Sequence, residues 1–180
     1  AGFFSSMTPK EASEADQAAS SLEKDGYYVR IARRPAAKRE VKAGQKFTIL
    51  VVDDDPDLTK LMRTYLMLEG FVPRLAGNRA EILNALRQTP VPDLVLLDID
   101  LPDANGFDIL LKMRQHPVLK AIPVIMLTAE ATRQAVLKGL LAGADGYVTK
   151  PFEPEAVTLA VKAVLGLSGS AEARPENKSK

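Results

Sequence analysis

The sequence predicts an α/β protein with a doubly wound, five-stranded parallel sheet and helices on both faces, preceded by an N-terminal helix and strand. Two observations predict this class. Most of the five short strand candidates are continuous apolar runs, which is typical of parallel strands buried on both faces. Helical patterns separate these runs, and a repeated strand–helix alternation favours a three-layer sheet.

The strands are predicted from runs rich in Val, Leu and Ile. They are Phe47–Val52, Phe71–Leu75, Leu94–Leu97, Pro123–Leu127 and Gly146–Thr149. Pro73 cannot donate a ladder hydrogen bond, so the second strand is expected at an edge of the sheet. We therefore expect the strand order 2-1-3-4-5, which places the second strand at an edge.

A helix is predicted after each strand. The first carries apolar residues at helical spacing from Leu58 to Leu66, with Pro56 in its first turn and Gly70 just past its end. The other four are expected over residues 78–88, 107–114, 132–142 and 154–165.

The first 46 residues are expected to form an extension. The segment KEASEADQAASSLEKDGYYVRIARRPAA predicts a helix that stops at Gly26 and a strand over residues 27–32. A docked accessory helix and strand, a dimerisation arm and the remnant of a truncated upstream domain all fit this pattern. We interpret residues 1–6 as a cloning remnant and Met7 as a native start.

Charge and composition distinguish the two ends of the chain. Residues 30–46 carry seven basic residues and one acidic residue, which we interpret as a solvated linker, because aromatic interleaving stops at Tyr28. Residues 168–180 are small, polar and charged, which predicts a disordered tail. The expected domains are an extension over 1–46, a globular domain over 47–167 and the tail.

Composition excludes several classes of site. The chain has no cysteine, so disulfides and thiolate metal sites are excluded and a cytoplasmic location is expected. The single histidine, His116, argues against a zinc site, which usually needs several N or S ligands. No apolar run approaches the roughly 18 residues that cross a bilayer. The net charge of +1 favours neither a membrane nor a nucleic-acid partner.

Polar residues follow four of the five strands. They are Asp53–Asp55 after the first, Asp98 after the third, Thr128 after the fourth and Lys150 after the fifth. In such sheets the carboxyl ends of the strands form the binding crevice. Carboxylates without Cys or His suit Mg²⁺, and a lysine and a hydroxyl beside them suit a phosphoryl group in transfer. The carboxylate of Asp98 would be the nucleophile.

Each of these residues also has an ordinary structural interpretation. Asp54 or Asp55 could cap the first helix. Thr128 alone is more often a cap or turn residue, and Lys150 alone a solvated surface lysine. Their coincidence at one end of one predicted sheet is what favours a site.

Residues 47–167 resemble the receiver domain of two-component response regulators, the CheY-like family. Four segments match the family's signatures in order and spacing: LVVDDD, LVLLDIDLPDANGFDIL, PVIMLTAEA and GADGYVTKPF. The resemblance implies a flavodoxin-like fold and a magnesium-dependent aspartyl-phosphate switch.

The resemblance also implies roles for the acidic residues. Asp98 would be the phosphoacceptor and a metal ligand. Asp54 would bind Mg²⁺ directly, and Asp53 would hold a metal-bound water. The backbone carbonyl of Asp100 would complete the metal shell, and the side chains of Asp100 and Glu130 would tune the phosphoryl lifetime.

The remaining implied roles concern the phosphoryl group and its readout. Thr128, Lys150 and the Ala129 backbone would contact the phosphoryl oxygens. Tyr147 matches the aromatic switch position, turning inward as Thr128 moves toward the phosphate, although on its own it would be read as core packing. The Lys150–Pro151 bond is expected to be cis.

We expect a signalling protein rather than a metabolic enzyme. A sensor histidine kinase or a histidine phosphotransfer protein would donate the phosphoryl group to Asp98. The response would be read on the face formed by residues 132–142, 146–149 and 154–165, by a downstream protein or by a second copy of the chain. We expect no effector domain after Leu167 and no membrane or nucleic-acid partner.

Other functions fit the sequence less well. LLDIDLP contains the D-x-D pattern of haloacid-dehalogenase-type phosphatases, but that family places it after the first strand, whereas Asp98 follows the third. A degenerate receiver is disfavoured because acceptor, metal-binding and cationic residues are all present. A kinase or NTPase is disfavoured because no phosphate-binding glycine motif occurs.

Overall fold

The structure, a computed structural model, describes residues 7–30 and 43–167. The strands are β1 (Tyr27–Val29), β2 (Thr48–Val52), β3 (Val72–Ala76), β4 (Leu94–Leu97), β5 (Val124–Thr128) and β6 (Gly146–Thr149). The helices are α1 (Pro9–Asp25), α2 (Pro56–Leu68), α3 (Arg79–Arg87), α4 (Gly106–Gln115), α5 (Arg133–Ala142) and α6 (Pro154–Leu165), with a 3₁₀ turn at Leu119–Ala121. The expected cloning remnant, most of the basic linker and the expected tail lie outside the described residues.

The sheet has the strand order β1-β6-β5-β4-β2-β3. Strands β2 to β6 pair in parallel, which confirms the predicted order 2-1-3-4-5. Strand β3, which contains Pro73, lies at one edge as predicted. Strand β1 adds a sixth, antiparallel strand at the opposite edge, beside β6. The predicted five-stranded parallel sheet is therefore correct for residues 47–167, but the prediction did not include β1 in the sheet.

Side-chain caps explain where the helices begin. The Asp55 carboxylate accepts hydrogen bonds from the backbone N–H groups of Asp57 and Leu58, at 2.9 and 3.3 Å. The sequence left open whether Asp54 or Asp55 caps this helix, and the structure shows that Asp55 does. Asn78, Asn105 and Thr132 cap α3, α4 and α5 in the same way.

Two apolar clusters fill the two faces of the sheet. One lies between the sheet and α1, α3, α4 and α5, and it contains Tyr147. The other lies between the sheet and α2 and α6, and it contains Val148. Successive residues of β6 thus point to opposite faces, as a strand requires. All residues of β2, β4 and β5 are buried, which agrees with their continuous apolar sequence.

The N-terminal helix and strand are docked on the rest of the protein. Helix α1 buries Ala15, Ala18 and Leu22. It ends at Gly26, whose φ of +76° lies in the left-handed region that favours glycine. Of the alternatives that the sequence left open, the described residues thus show an accessory helix and strand packed on the domain.

A buried ion pair holds the end of α4 to the strand ends opposite the predicted crevice. The Arg114 guanidinium donates to Asp145 Oδ2 at 3.0 Å and to the backbone carbonyls of Ile122 and Gly143. Asp145 Oδ2 also accepts from the Val124 N–H at 3.0 Å. Both side chains are largely buried, so each compensates the desolvation of the other.

No helix in residues 7–30 and 43–167 is both long and apolar enough to span a membrane.

Replacing Arg114 by alanine should destabilise the fold strongly. Removing one partner leaves the Asp145 carboxylate buried without its cation, so the free energy of unfolding should fall by about 3 kcal/mol. Urea unfolding followed by circular dichroism measures this. Lys112→Ala, an exposed change on the same helix, should stay within about 0.5 kcal/mol of the parent. Equal effects of the two changes would contradict the assignment.

Candidate functional site

The carboxyl ends of neighbouring strands bring the expected site residues together. Asp53 follows β2, Asp98 follows β4 and Lys150 follows β6. Strand β4 lies between β2 and β5, and β5 lies between β4 and β6. Because these strands are parallel, their ends meet at one edge of the sheet.

Lys150 links the acidic residues of two strands. Its Nζ donates to Asp53 Oδ2 at 2.5 Å and to Asp98 Oδ2 at 3.1 Å. The side chains of Asp53 and Asp98 are only 1% and 7% exposed. Two buried carboxylates thus share one ammonium group.

The third carboxylate of the cluster belongs to Asp54. Asp53, Asp54 and Asp98 each place a carboxylate oxygen within 4.8 Å of the other two. Asp54 is exposed, whereas the other two are buried. Three carboxylates face one lysine here, so excess negative charge remains at the open side of the site.

Backbone contacts fix the two buried carboxylates. Asp53 Oδ1 accepts from the Asp55 N–H at 2.9 Å, and Asp98 Oδ1 accepts from the Asp100 N–H at 3.4 Å. The Asp53 N–H donates to the Ala76 carbonyl of β3, and the Asp98 N–H to the Val52 carbonyl of β2. Both acidic residues therefore continue the hydrogen bonding of the sheet.

Burial and the neighbouring charges have opposite effects on the pKa values of Asp98 and Lys150. Burial raises the pKa of Asp98 above its ordinary value of 3.8, and the Lys150 ammonium only partly offsets this. The pKa of Lys150 is also raised: burial lowers it, but the hydrogen bonds and charges of Asp53 and Asp98 outweigh that effect. The lysine therefore stays protonated beside the carboxylates.

Gly106 is a site residue that the sequence reasoning missed. A Cβ on Gly106 would lie 2.2 Å from the Asp98 carbonyl oxygen and 2.8 Å from Ile99 Cα. The Gly106 N–H donates to the Ile99 carbonyl at 2.8 Å, so the start of α4 packs directly on the chain after β4. The glycine in LPDANG was the available signal, but a turn explains a glycine equally well.

Thr128 is the last residue of β5, the strand between β4 and β6. It is fully buried, and its Oγ1 accepts from the Glu130 N–H at 3.3 Å. Its carbonyl accepts from the Lys150 N–H at 2.9 Å. Within the described residues, no hydrogen bond joins the Thr128 hydroxyl to Asp98. Ala129 is exposed at the start of the following loop.

Tyr147 is buried beneath the same loop. Its hydroxyl donates to the Glu130 carbonyl at 2.6 Å, and its ring is 3.2 Å from the position that a Cβ on Gly139 would take. Burial raises the pKa of Tyr147, with further contributions from the carboxylates of Glu130, Asp100 and Asp98. The ring is thus part of the core, and its hydroxyl ties it to the loop after β5.

The remaining expected residues lie around the site. The Lys150–Pro151 peptide bond is cis, as the resemblance implies. A second cis bond, Thr89–Pro90, lies outside the site residues and was not predicted. Asp100 is exposed and pairs with Asn105 in an isolated antiparallel bridge.

The donor set fits a hard divalent cation. Mg²⁺ prefers carboxylates, carbonyls and water over N or S ligands. The cluster of Asp53, Asp54 and Asp98 offers three carboxylates, one of them at the open side. Lys150 neutralises only part of their charge, so a cation would complete the electrostatic balance.

A comparison with protein families matches residues 49–162 to the response regulator receiver domain. The chain is 42% identical over 127 residues to a Mycobacterium tuberculosis protein named as probable transcriptional regulatory protein TcrX, covering 70% of this chain and 53% of TcrX. It is 43% identical over 117 residues to the DNA-binding response regulator MtrA of Mycolicibacterium smegmatis, covering 65% of this chain and 50% of MtrA. The chain thus spans about half the length of these relatives.

A solved structure shares the same fold. The Vibrio cholerae chemotaxis protein CheY4 is 26% identical to this chain, with a TM-score of 0.62. The match covers 67% of this chain and 99% of CheY4.

Replacing Asp98 by asparagine should stabilise the metal-free protein. Burial opposes the charged form of Asp98, so the neutral isostere should raise the free energy of unfolding at pH 7 by about 1 kcal/mol. Because the folded pKa is raised, the parent regains this stability as pH falls through that pKa, and the advantage of Asp98→Asn should vanish near pH 4.

Urea unfolding with a metal chelator present measures both effects. Asp108→Asn, an exposed change in the first turn of α4, is the control and should show no such pH-dependent gain. A variant less stable than the parent at pH 7 would show that the Lys150 ion pair outweighs burial.

Proposed function

This chain belongs to the response regulator receiver family, and on that premise we propose that it is a phosphorylation-controlled switch with Asp98 as phosphoacceptor. The phosphoryl group would come from a phosphohistidine of a sensor histidine kinase or a histidine phosphotransfer protein. The observation that carries this proposal is the Lys150 Nζ shared between the buried carboxylates of Asp53 and Asp98, with Asp54 at the open side.

The chemistry assigns one role to each group. An Asp98 carboxylate oxygen forms a bond to phosphorus as the nitrogen–phosphorus bond of the donor breaks, and the imidazole nitrogen keeps the electron pair. Lys150 neutralises charge on the transferred group, because its ammonium already lies 3.1 Å from the Asp98 oxygen. The Thr128 hydroxyl and the Ala129 N–H would donate to the phosphoryl oxygens.

Asp53, Asp54, Asp98 and the Asp100 carbonyl would hold Mg²⁺, with Asp53 acting through a water molecule. The ion supplies neutralisation of the carboxylates and of the incoming phosphoryl oxygens when bound. Without such neutralisation, a dianionic phosphoryl group would enter a cluster with excess negative charge.

The response would be read on the surface formed by α5, β6 and α6, which we call the switch face. Added charge at Asp98 would draw Thr128 and Lys150 toward the phosphoryl group, and these residues end β5 and follow β6. A downstream protein or a second copy of the chain would bind there.

DNA binding is suggested by the name of one relative. MtrA is named as a DNA-binding regulator, which weighs against the expectation of no nucleic-acid partner. The match covers 50% of MtrA, so we propose a transcriptional output for this chain only on the strength of that name. The dehalogenase-type phosphatase is not favoured, since Asp98 follows β4 and a separate acidic group follows β2.

Acetyl phosphate with Mg²⁺ should add one phosphoryl group to the parent protein and none to Asp98→Ala, because the resemblance to receiver domains gives Asp98 the acceptor role. Asp53, which is also buried and also contacts Lys150, would instead help to hold the metal. Intact-mass spectrometry measures the added phosphoryl group. Asp108→Ala should still be phosphorylated. An adduct on Asp98→Ala would assign the acceptor elsewhere. Steady release of phosphate from a monoester would favour a phosphatase.

Replacing Glu130 by alanine should change the lifetime of the phosphorylated form. The Glu130 backbone is held by Thr128 and Tyr147, so its position beside the site is fixed. A carboxylate there can repel attacking anions or orient water, so the rate of dephosphorylation should change modestly in either direction. Decay of the adduct over time measures it, and an unchanged rate would exclude this role.

A further inference from the structure

The switch face is covered by the chain's own N-terminal segment. We call residues 9–29, which form α1 and β1, the N-terminal cover. Helix α1 packs on α5, and β1 contacts both β6 and α6, so the cover touches all three elements of the face. Strand β1 pairs with β6 over its full length, with Tyr28 opposite Tyr147.

Specific contacts fix the cover in this place. Ala15 and Ala18 are completely buried in α1, and Leu22 is nearly so. An ion pair joins Asp16 of α1 to Arg133 of α5 at 2.6 Å. The Arg30 N–H, just after β1, donates to the Asp145 carbonyl at 2.7 Å. The cover therefore combines apolar burial, strand pairing and charge complementarity.

The cover is connected to the site through β6. The Thr149 N–H donates to the Gly26 carbonyl between α1 and β1, at 3.3 Å. Thr149 directly precedes Lys150, which contacts Asp53 and Asp98. Tyr147 lies between β1 and the Glu130 loop. Two residues of β6, Tyr147 and Thr149, thus lie between the site and the cover.

We propose that the N-terminal cover is an intramolecular occupant of the switch face that phosphorylation of Asp98 releases. The inference rests on the function proposed above and names how its output face is controlled. The β6 edge can pair with β1 or with another molecule, but not with both. In the unphosphorylated site Lys150 is held by two carboxylates; a phosphoryl group would take over this contact, move the end of β6 and weaken the long Gly26–Thr149 hydrogen bond.

Docking of the cover and binding of a phosphoryl mimic at Asp98 should be thermodynamically linked. If the bound mimic weakens docking of the cover, then undocking must strengthen binding of the mimic by the same factor. Ala18→Arg places a charged side chain on the buried face of α1, within the apolar core, and should undock the cover. Gln17→Arg, one position away on the exposed side of α1, adds the same charge without that effect.

The test uses the full chain with beryllofluoride and Mg²⁺ as the phosphoryl mimic. On adding the mimic, hydrogen exchange in residues 9–29 of the parent and of Gln17→Arg should become roughly fivefold faster, while β2 and β4 stay protected. Ala18→Arg should lack protection in residues 9–29 without it, again with β2 and β4 protected. Ala18→Arg should also bind the mimic roughly fivefold more tightly than Gln17→Arg.

Two other outcomes would contradict this inference, and one of them would also contradict the proposed function. Fluorine NMR reports whether the mimic is bound. Bound mimic with unchanged or increased protection in residues 9–29 would overturn the release of the cover and leave the proposed function intact. No bound mimic in either variant would contradict the proposed function, and this inference with it. Should Ala18→Arg lose protection in β2 and β4, the milder Asp16→Arg, with Arg133→Asp to restore the pair, takes its place.

Discussion

The arrangement at the strand ends depends on one ammonium group shared by two buried carboxylates. Lys150 contacts Asp53 and Asp98, which follow different strands and would repel each other without a cation between them. The lysine neutralises part of the charge and leaves Asp54 at the open side. A divalent cation would neutralise this residual negative charge and so allow an anionic phosphoryl group to enter. The same excess of charge that costs stability therefore prepares the site for its proposed chemistry.

The parallel sheet supplies the geometry for this interaction. Asp53 and Asp98 each continue the hydrogen bonding of a neighbouring strand, to Ala76 and Val52, so their positions follow from strand pairing. The chain after β4 is further confined by α4, which approaches so closely at Gly106 that a methyl group would overlap the Asp98 carbonyl. Rigid elements thus hold the reactive groups, while the loop after Thr128, which carries Ala129 and Glu130, is the more exposed part of the site.

The same strand that positions Lys150 also carries the N-terminal cover. Strand β6 contributes Tyr147 to the core and Thr149 to the Gly26 contact, so the site and the covered face share one element. A sheet edge is a surface on which strands can add, and here the chain's own β1 occupies it. Any molecule that uses this edge must therefore compete with β1.

Local sequence patterns predicted the strands, the helices, the strand order of residues 47–167 and the residue types at the strand ends. These depend on local periodicity, on caps and glycine stops, and on Pro73 at an edge. Tertiary structure alone decided that Lys150 meets Asp53, a residue 97 positions away, that Asp55 rather than Asp54 caps α2, and that Gly106 contacts the Asp98 backbone. It also decided that β1 pairs with β6. Pairing between distant residues depends on how the strands and helices pack together, and local patterns do not encode that packing.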